Sequence, residues 1–209
     1  MLRAVLFDND GVLVDTEWFY NRRRVAYLRT QGFVFDEIPD LSGSDEVSVW
    51  EHFVPDDPVR RRQLKEGYAS YMEEHPVPYD ELLNRDAGPV MAELRSRGVM
   101  CAIASSGRLE MIQQMVDAAQ IEDMLDLKLS AHDCGAFKPD PDVYLRAMEL
   151  LGVSPDECLV IEDSPLGIEA GVRSGARTLA LRPKEGVSLD QSGAHRVIDN
   201  LWDILDELA

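Results

Sequence analysis

Phe7-Asp8-Asn9-Asp10-Gly11-Val12 follows directly on the apolar run Leu2-Arg3-Ala4-Val5-Leu6-Phe7. The run reads as a short buried β-strand. At its end stand two carboxylates, two positions apart. Buried charges without a partner cost on the order of 3–5 kcal/mol, so the pair demands a cation. The economical reading is a metal ion, and chemistry, at the mouth of a parallel sheet.

The rest of the chain alternates in the way such a sheet requires. From Thr16 to about Leu83 the pattern is helix and loop: Trp18–Thr30 closing at Gly32, then Asp45–His52 and Pro58–Glu74, punctuated by Pro55, Pro58, Pro76 and Pro78. Beyond it, strands are expected over 99–104, 127–130, 158–161, 178–181 and 195–198. Helices are expected over 89–97, 109–119, 165–174 and 201–208, and from Asp140, as N-cap with Pro141 at the first helical position, to Leu151. Strands alternating with helices imply an α/β fold with a parallel sheet covered on both faces. The division expected is a core of residues 1–15 and 84–209, with a helical insert of residues 16–83 after the first strand.

Ligands of open α/β sheets bind beyond the carboxyl ends of the strands, and polar residues gather at those ends here. The first strand ends in Asp8 and Asp10, the second in Ser105-Ser106-Gly107, and 158–161 in Glu162-Asp163. Lys138 stands in Phe137-Lys138-Pro139-Asp140-Pro141. Asp8 is the candidate nucleophile, since a carboxylate can attack phosphorus and form an acyl phosphate. Asp10 is the candidate general acid and base, with Gly11 permitting the tight turn that keeps both near the reacting atom. Asp163, with Glu162, is the second carboxylate source for a hard cation, Mg²⁺, which prefers oxygen ligands. The alternative for Glu162-Asp163 is capping of the helix that follows. Ser105, Ser106 and the next helix N-terminus suit a phosphate oxyanion. Lys138 would clamp that phosphate, although a lysine before a helix is commonly solvated surface.

Composition narrows the partners. The net charge of −18 over 209 residues argues against nucleic acid and anionic membranes. Four lysines stand against seventeen arginines; the acidic balance fits either a high-salt source or an ordinary soluble acidic surface. No apolar run is long enough to cross a bilayer, no secretion signal is visible, and three widely spaced cysteines suggest neither a zinc pattern nor a disulfide framework. The expectation is a cytoplasmic protein, monomeric or weakly dimeric, with a small-molecule substrate.

The four segments together resemble the haloacid dehalogenase superfamily of phosphotransferases. Phe7–Glu17 matches its first motif, Ser105 the second, Lys138 before Pro139-Asp140-Pro141 the third, and Val160–Gly171 the fourth. The resemblance implies a Rossmann-like doubly wound core with a helical cap, an aspartyl-phosphate intermediate, and Mg²⁺ held by Asp8, the Asp10 backbone carbonyl and Asp163. The subgroup is similar to β-phosphoglucomutase and small-metabolite phosphatases. The mutase pattern has a histidine where Tyr20 stands, and an arginine in a turn that reads Gly43-Ser44-Asp45-Glu46 here. A carboxylate there would repel a second phosphate by roughly 1–4 kcal/mol, which favours water as the final acceptor. The function expected is hydrolysis of a small phosphomonoester such as a sugar phosphate. A phosphomutase is the alternative, and a phosphate-binding regulatory protein the non-enzymatic one. Tyr20, Arg24 and Lys65 are candidate substrate residues in the cap. Arg22, Arg23, Tyr68 and Trp18 are either cleft lining, solvated faces or cap packing.

Overall fold

Ala4–Phe7 forms the first strand, β1, with all four side chains buried. In this computed structural model the described residues are 1–39, 41, 46–184 and 187–208. The chain divides into two units: Met1–Asp15 with Tyr79–Ala209, and Thr16–Pro78.

The first unit is built on six strands: β1, β2 (Met100–Ser105), β3 (Leu127–Ser130), β4 (Cys158–Glu162), β5 (Arg177–Leu181) and β6 (Arg196–Ile198). They lie in the order β3-β2-β1-β4-β5-β6, every neighbouring pair parallel. The order reverses direction at β1, so the crossovers run outward from the centre, as in a doubly wound, Rossmann-like sheet. Because successive side chains face opposite sides, both faces of β1 must be covered. Ala4 and Leu6 pack with Tyr144, Ala147, Met148 and Ala170 in one buried cluster, while Val5 and Phe7 are equally buried on the other face.

The second unit carries α1 (Glu17–Thr30), α2 (Glu46–Phe53) and α3 (Pro58–Glu74). Pro58 opens α3, and the Asp57 carboxylate caps it by accepting the Arg60 N–H at 2.8 Å. Val25, Tyr27, Leu28, Trp50, Leu64 and Tyr68 form the unit's own core.

Two expectations need correction. The short helix α4 (Tyr79–Leu82) belongs to the first unit, so the boundary falls at Pro78 and not after residue 83. Local hydrogen bonds hold it there: Asp15 N–H donates to Leu82 O at 2.9 Å, and the Tyr79 hydroxyl to Met111 O at 3.3 Å. The helix after Lys138 starts at Asp142, with Pro141 at the cap position. Asp140 is part of the turn before it, its carboxylate accepting the Asp142 N–H at 3.2 Å. The remaining helices of this unit are α5 (Ala87–Ser96), α6 (Leu109–Ala119), α7 (Asp142–Leu151) and α8 (Pro165–Arg173). The expected last helix, Leu201–Leu208, is a 3-10 helix. Its buried residues, Leu201 and Ile204, are spaced by three, the period at which 3-10 side chains align. Among the described residues no helix is long and apolar enough to cross a membrane.

Candidate active site

Pairing of Phe7 with Ile161 sets the positions that follow side by side, Asp8 just past β1 and Glu162 as the last residue of β4. The Asp8 N–H donates to Ile161 O at 2.9 Å. Lys138 reaches into this edge from the turn before α7. Its ammonium donates to Asp8 Oδ1 at 2.5 Å, to Glu162 Oε1 at 2.6 Å and to Ala104 O at 3.2 Å. Three donors meet three acceptors, and the side chain is only 6% exposed. Lys138 is therefore not a solvated surface lysine.

Glu162 is wholly buried. Its Oε1 is shared between Lys138 and the Tyr144 hydroxyl, which donates at 2.6 Å. Its Oε2 accepts the N–H of Asp163 at 3.1 Å and the hydroxyl of Ser164 at 3.2 Å. The Lys138 ammonium also lies 4.9 Å from the centre of the Tyr144 ring, within range of a cation–π contact. Sequence reading missed Tyr144. Its only signal was position: it lies six residues after Lys138, on the face of α7 that the apolar pattern buries.

The α8 helix is capped by Ser164, whose hydroxyl accepts the Gly167 N–H at 3.1 Å. Capping thus does not account for Asp163. Carboxylate oxygens of Asp8, Glu162 and Asp163 lie within 4.8 Å of one another, all three residues buried. Gly11 makes room for this group. It has φ +84°, and a Cβ there would lie 2.0 Å from Asp163 Oδ2. A Gly11→Ala variant is expected to strain the turn by about 1–2 kcal/mol and to push Asp163 off its position. A Mg²⁺ titration beside a thermal melt checks this: affinity equal to wild type would contradict it.

Asp10 lies in the turn closed by Gly11 N–H to Val14 O, and the Asn9 amide donates to its Oδ2 at 3.2 Å. That oxygen is 3.7 Å from where a Cβ on Gly107 would be, so the turns after β1 and β2 approach each other. Ser105 is buried at the end of β2, and its Oγ accepts the Gly107 N–H at 3.0 Å. The Ser130 hydroxyl holds the same turn through Gly107 O at 2.7 Å. Ser106 is exposed.

Carboxylates outnumber cations in this pocket of charge. Burial pushes the Asp8 carboxyl up to about 8, and Glu162 and Asp10 push the same way, against the pull of Lys138. For Lys138, burial works against the charged form, but Asp8 and Glu162 outweigh it and raise its pKa. Burial, then Glu162, raises the Tyr144 phenol well above its ordinary value, so it stays a donor. Clustered oxygen ligands with surplus negative charge fit a hard divalent cation.

Tyr20, Arg24 and Lys65 lie in the second unit, all half-buried. The Arg24 guanidinium stands 5.8 Å from the Tyr68 ring centre and 6.0 Å from that of Trp50. Arg23 is not a solvated helix face. It is buried, donating to the Tyr68 hydroxyl at 3.1 Å and to His75 O at 2.9 Å. Gly43, Ser44 and Asp45, and the side chain of Glu46, lie outside the described residues.

Comparison with known proteins identifies the family. The family model described as haloacid dehalogenase-like hydrolase matches residues 2–175. A phosphatase from Mycobacterium tuberculosis is 27% identical over 215 residues, covering 95% of this chain and 97% of that protein. A phosphoglycolate phosphatase from Aquifex aeolicus is 27% identical, over 85% and 83% of the two chains. The crystal structure of β-phosphoglucomutase from Clostridium difficile shares the fold with a TM-score of 0.76 at 20% identity, covering 99% of this chain and 96% of the other. The chain is a member of the haloacid dehalogenase-like hydrolases.

Proposed function

We propose that the protein is a Mg²⁺-dependent phosphomonoester hydrolase acting on a small phosphorylated metabolite, a sugar phosphate being the leading class. One observation carries the reading: Lys138 bridges Asp8 and Glu162 at 2.5 and 2.6 Å, with the Asp163 carboxylate in the same group. The named activities of the phosphatase relatives point the same way.

Asp8 and Asp163 would hold the cation, with the backbone carbonyl of Asp10. Glu162 adds its charge, but its oxygens are already committed to Lys138, Tyr144 and Ser164. Bound there, Mg²⁺ supplies charge compensation as phosphate meets the carboxylates. Lys138 occupies Asp8 Oδ1, which leaves Oδ2 to attack phosphorus. The new Oδ2–P bond forms as the ester P–O bond breaks, and Asp10 gives its proton to the departing alkoxide. Asp10 then takes a proton from water, which attacks the same phosphorus and returns Asp8 as carboxylate with release of phosphate. Ser105 and Ser106 would donate to the phosphate oxygens, and Tyr20, Arg24 and Lys65 would select the rest of the substrate. The acidic balance opposes nucleic acid as a partner, and three free cysteines agree with a reducing, cytoplasmic setting.

Phosphate release from a panel of sugar phosphates and an aryl phosphate, with Mg²⁺ and with chelator, tests the proposal. Chelator-sensitive release supports it; no release from any member sinks it. Interconversion of sugar phosphate isomers without net phosphate would establish the phosphomutase reading instead.

The raised Asp8 carboxyl has a measurable consequence. Below pH 8 the metal-free site holds a proton that the cation must expel. Mg²⁺ affinity is expected to fall about tenfold per pH unit below 8 and to level off above it. Because the folded state holds this proton more tightly than the unfolded chain, the site's contribution to stability is largest in acid. It declines from about pH 4 to pH 8. Calorimetric titration in buffers of different ionisation enthalpy should show close to one proton released at pH 6.5 and none at pH 9.5. An affinity independent of pH from 6 to 9 would contradict it.

A further inference from the structure

We propose that Gln191 is a positioning residue for Asp163 and thereby sets the protein's affinity for its divalent cation. The inference rests on the metal reading above. Gln191 lies outside the four motifs, in the loop between β5 and β6, yet it is only 9% exposed. Its side-chain amide nitrogen donates to two carbonyls, Asp163 O at 2.8 Å and Leu181 O at 2.7 Å. Both acceptors are backbone oxygens, so the nitrogen and oxygen of this amide are not interchangeable.

Asp163 lies one position past the end of β4, and Leu181 is the last residue of the neighbouring β5. Gln191 bridges the two carbonyls. The Asp163 residue is then held from both ends of its backbone, its N–H by Glu162 Oε2 at 3.1 Å and its carbonyl by Gln191. Such a residue has little freedom to swing. That constraint matters because its carboxylate lies against Gly11 with no room to spare, 2.0 Å from the place of a missing Cβ.

Gln191 is itself held in a firm turn. The Ala194 N–H donates to its carbonyl at 3.1 Å, and the Ser192 N–H to Asp190 Oδ1 at 3.0 Å. The start of the same loop is tied to the sheet by Arg182 N–H to Ile198 O at 2.8 Å, and to the first turn by Lys184 to Asp15 at 2.8 Å. The amide thus acts from a fixed base. Partners that orient a metal's own ligands typically govern metal affinity by 10–100-fold when lost.

The test compares wild type with Gln191→Leu, which keeps the volume and removes the donors, and Gln191→Asn, which keeps the amide but shortens its reach. Mg²⁺ affinity is read by calorimetry and Mn²⁺ affinity by electron paramagnetic resonance, with metal-free melting beside them. We expect both variants to bind either cation about tenfold more weakly. Saturating Mg²⁺ should bring kcat back to within about twofold of wild type. A folded variant of either kind with wild-type affinity for both cations would overturn the inference, whatever its melting temperature. A wild-type protein that binds neither cation would overturn the metal reading itself, and the titration of wild type tells the two failures apart.

Discussion

Asp8→Asn is expected to abolish phosphate release, lowering kcat on the order of 10⁴-fold or more. An amide oxygen cannot form the acyl phosphate that the two-step displacement requires. The same change should not unfold the protein. Burial holds the Asp8 carboxyl up near 8, so at neutral pH the fold works against its ionised form, and a neutral amide of the same shape relieves that tension. Lys138 keeps Glu162 as a partner at 2.6 Å. The metal-free Asn variant should therefore melt at or above the wild-type temperature at pH 7.5 while losing turnover. Retained hydrolysis in the purified variant would remove Asp8 from the chemistry.

Lys138→Met should have the larger effect on stability. The ammonium is the positive charge that Asp8 and Glu162 share, and its side chain is 6% exposed. Removing one member of a buried ion pair costs about 3–5 kcal/mol, because the partner charges are left without compensation. For a domain of this size each kcal/mol shifts Tm by roughly 2–4 °C, so a loss of about 10 °C is expected at pH 8. The sign with pH follows from the charge left behind. With the cation gone, Asp8 takes up its proton more readily in the folded state, so stability should recover as pH falls toward 5. Mg²⁺ should restore part of it at pH 8. Melting curves at pH 5 and 8, with and without Mg²⁺, check all three. A variant as stable as wild type at pH 8 would show that the bridge does not hold the site together.

Five of the six strands were expected within one residue of their observed ends, because apolar runs and the glycines that stop helices are local signals. The first begins at Ala4, two residues after the start of its apolar run. Boundaries were less legible where a polar residue had two possible uses. Asp140 looked like a helix cap and serves a turn instead. Tyr79 and Leu82 looked like the end of the helical insert, and only their contacts with Met111 and Asp15 assign them to the sheet unit. Tyr144 carried no polar signal at all, since a tyrosine on the apolar face of a helix reads as packing until its hydroxyl meets Glu162.

From the sequence alone came the alternation of strand and helix, and with it the edge at which Asp8, Ser105, Lys138 and Glu162-Asp163 had to emerge. Periodicity decides that much, since it depends on neighbours along the chain. Which of those groups touch was decided by the fold. Lys138 lies 130 positions from Asp8, and Gln191 lies 28 from Asp163. Contacts across such spans depend on the sheet order and on the depth to which each loop returns. Burial then supplies what no spacing can specify: a lysine that stays charged, a carboxyl that resists ionising, and an acidic cluster left short of positive charge.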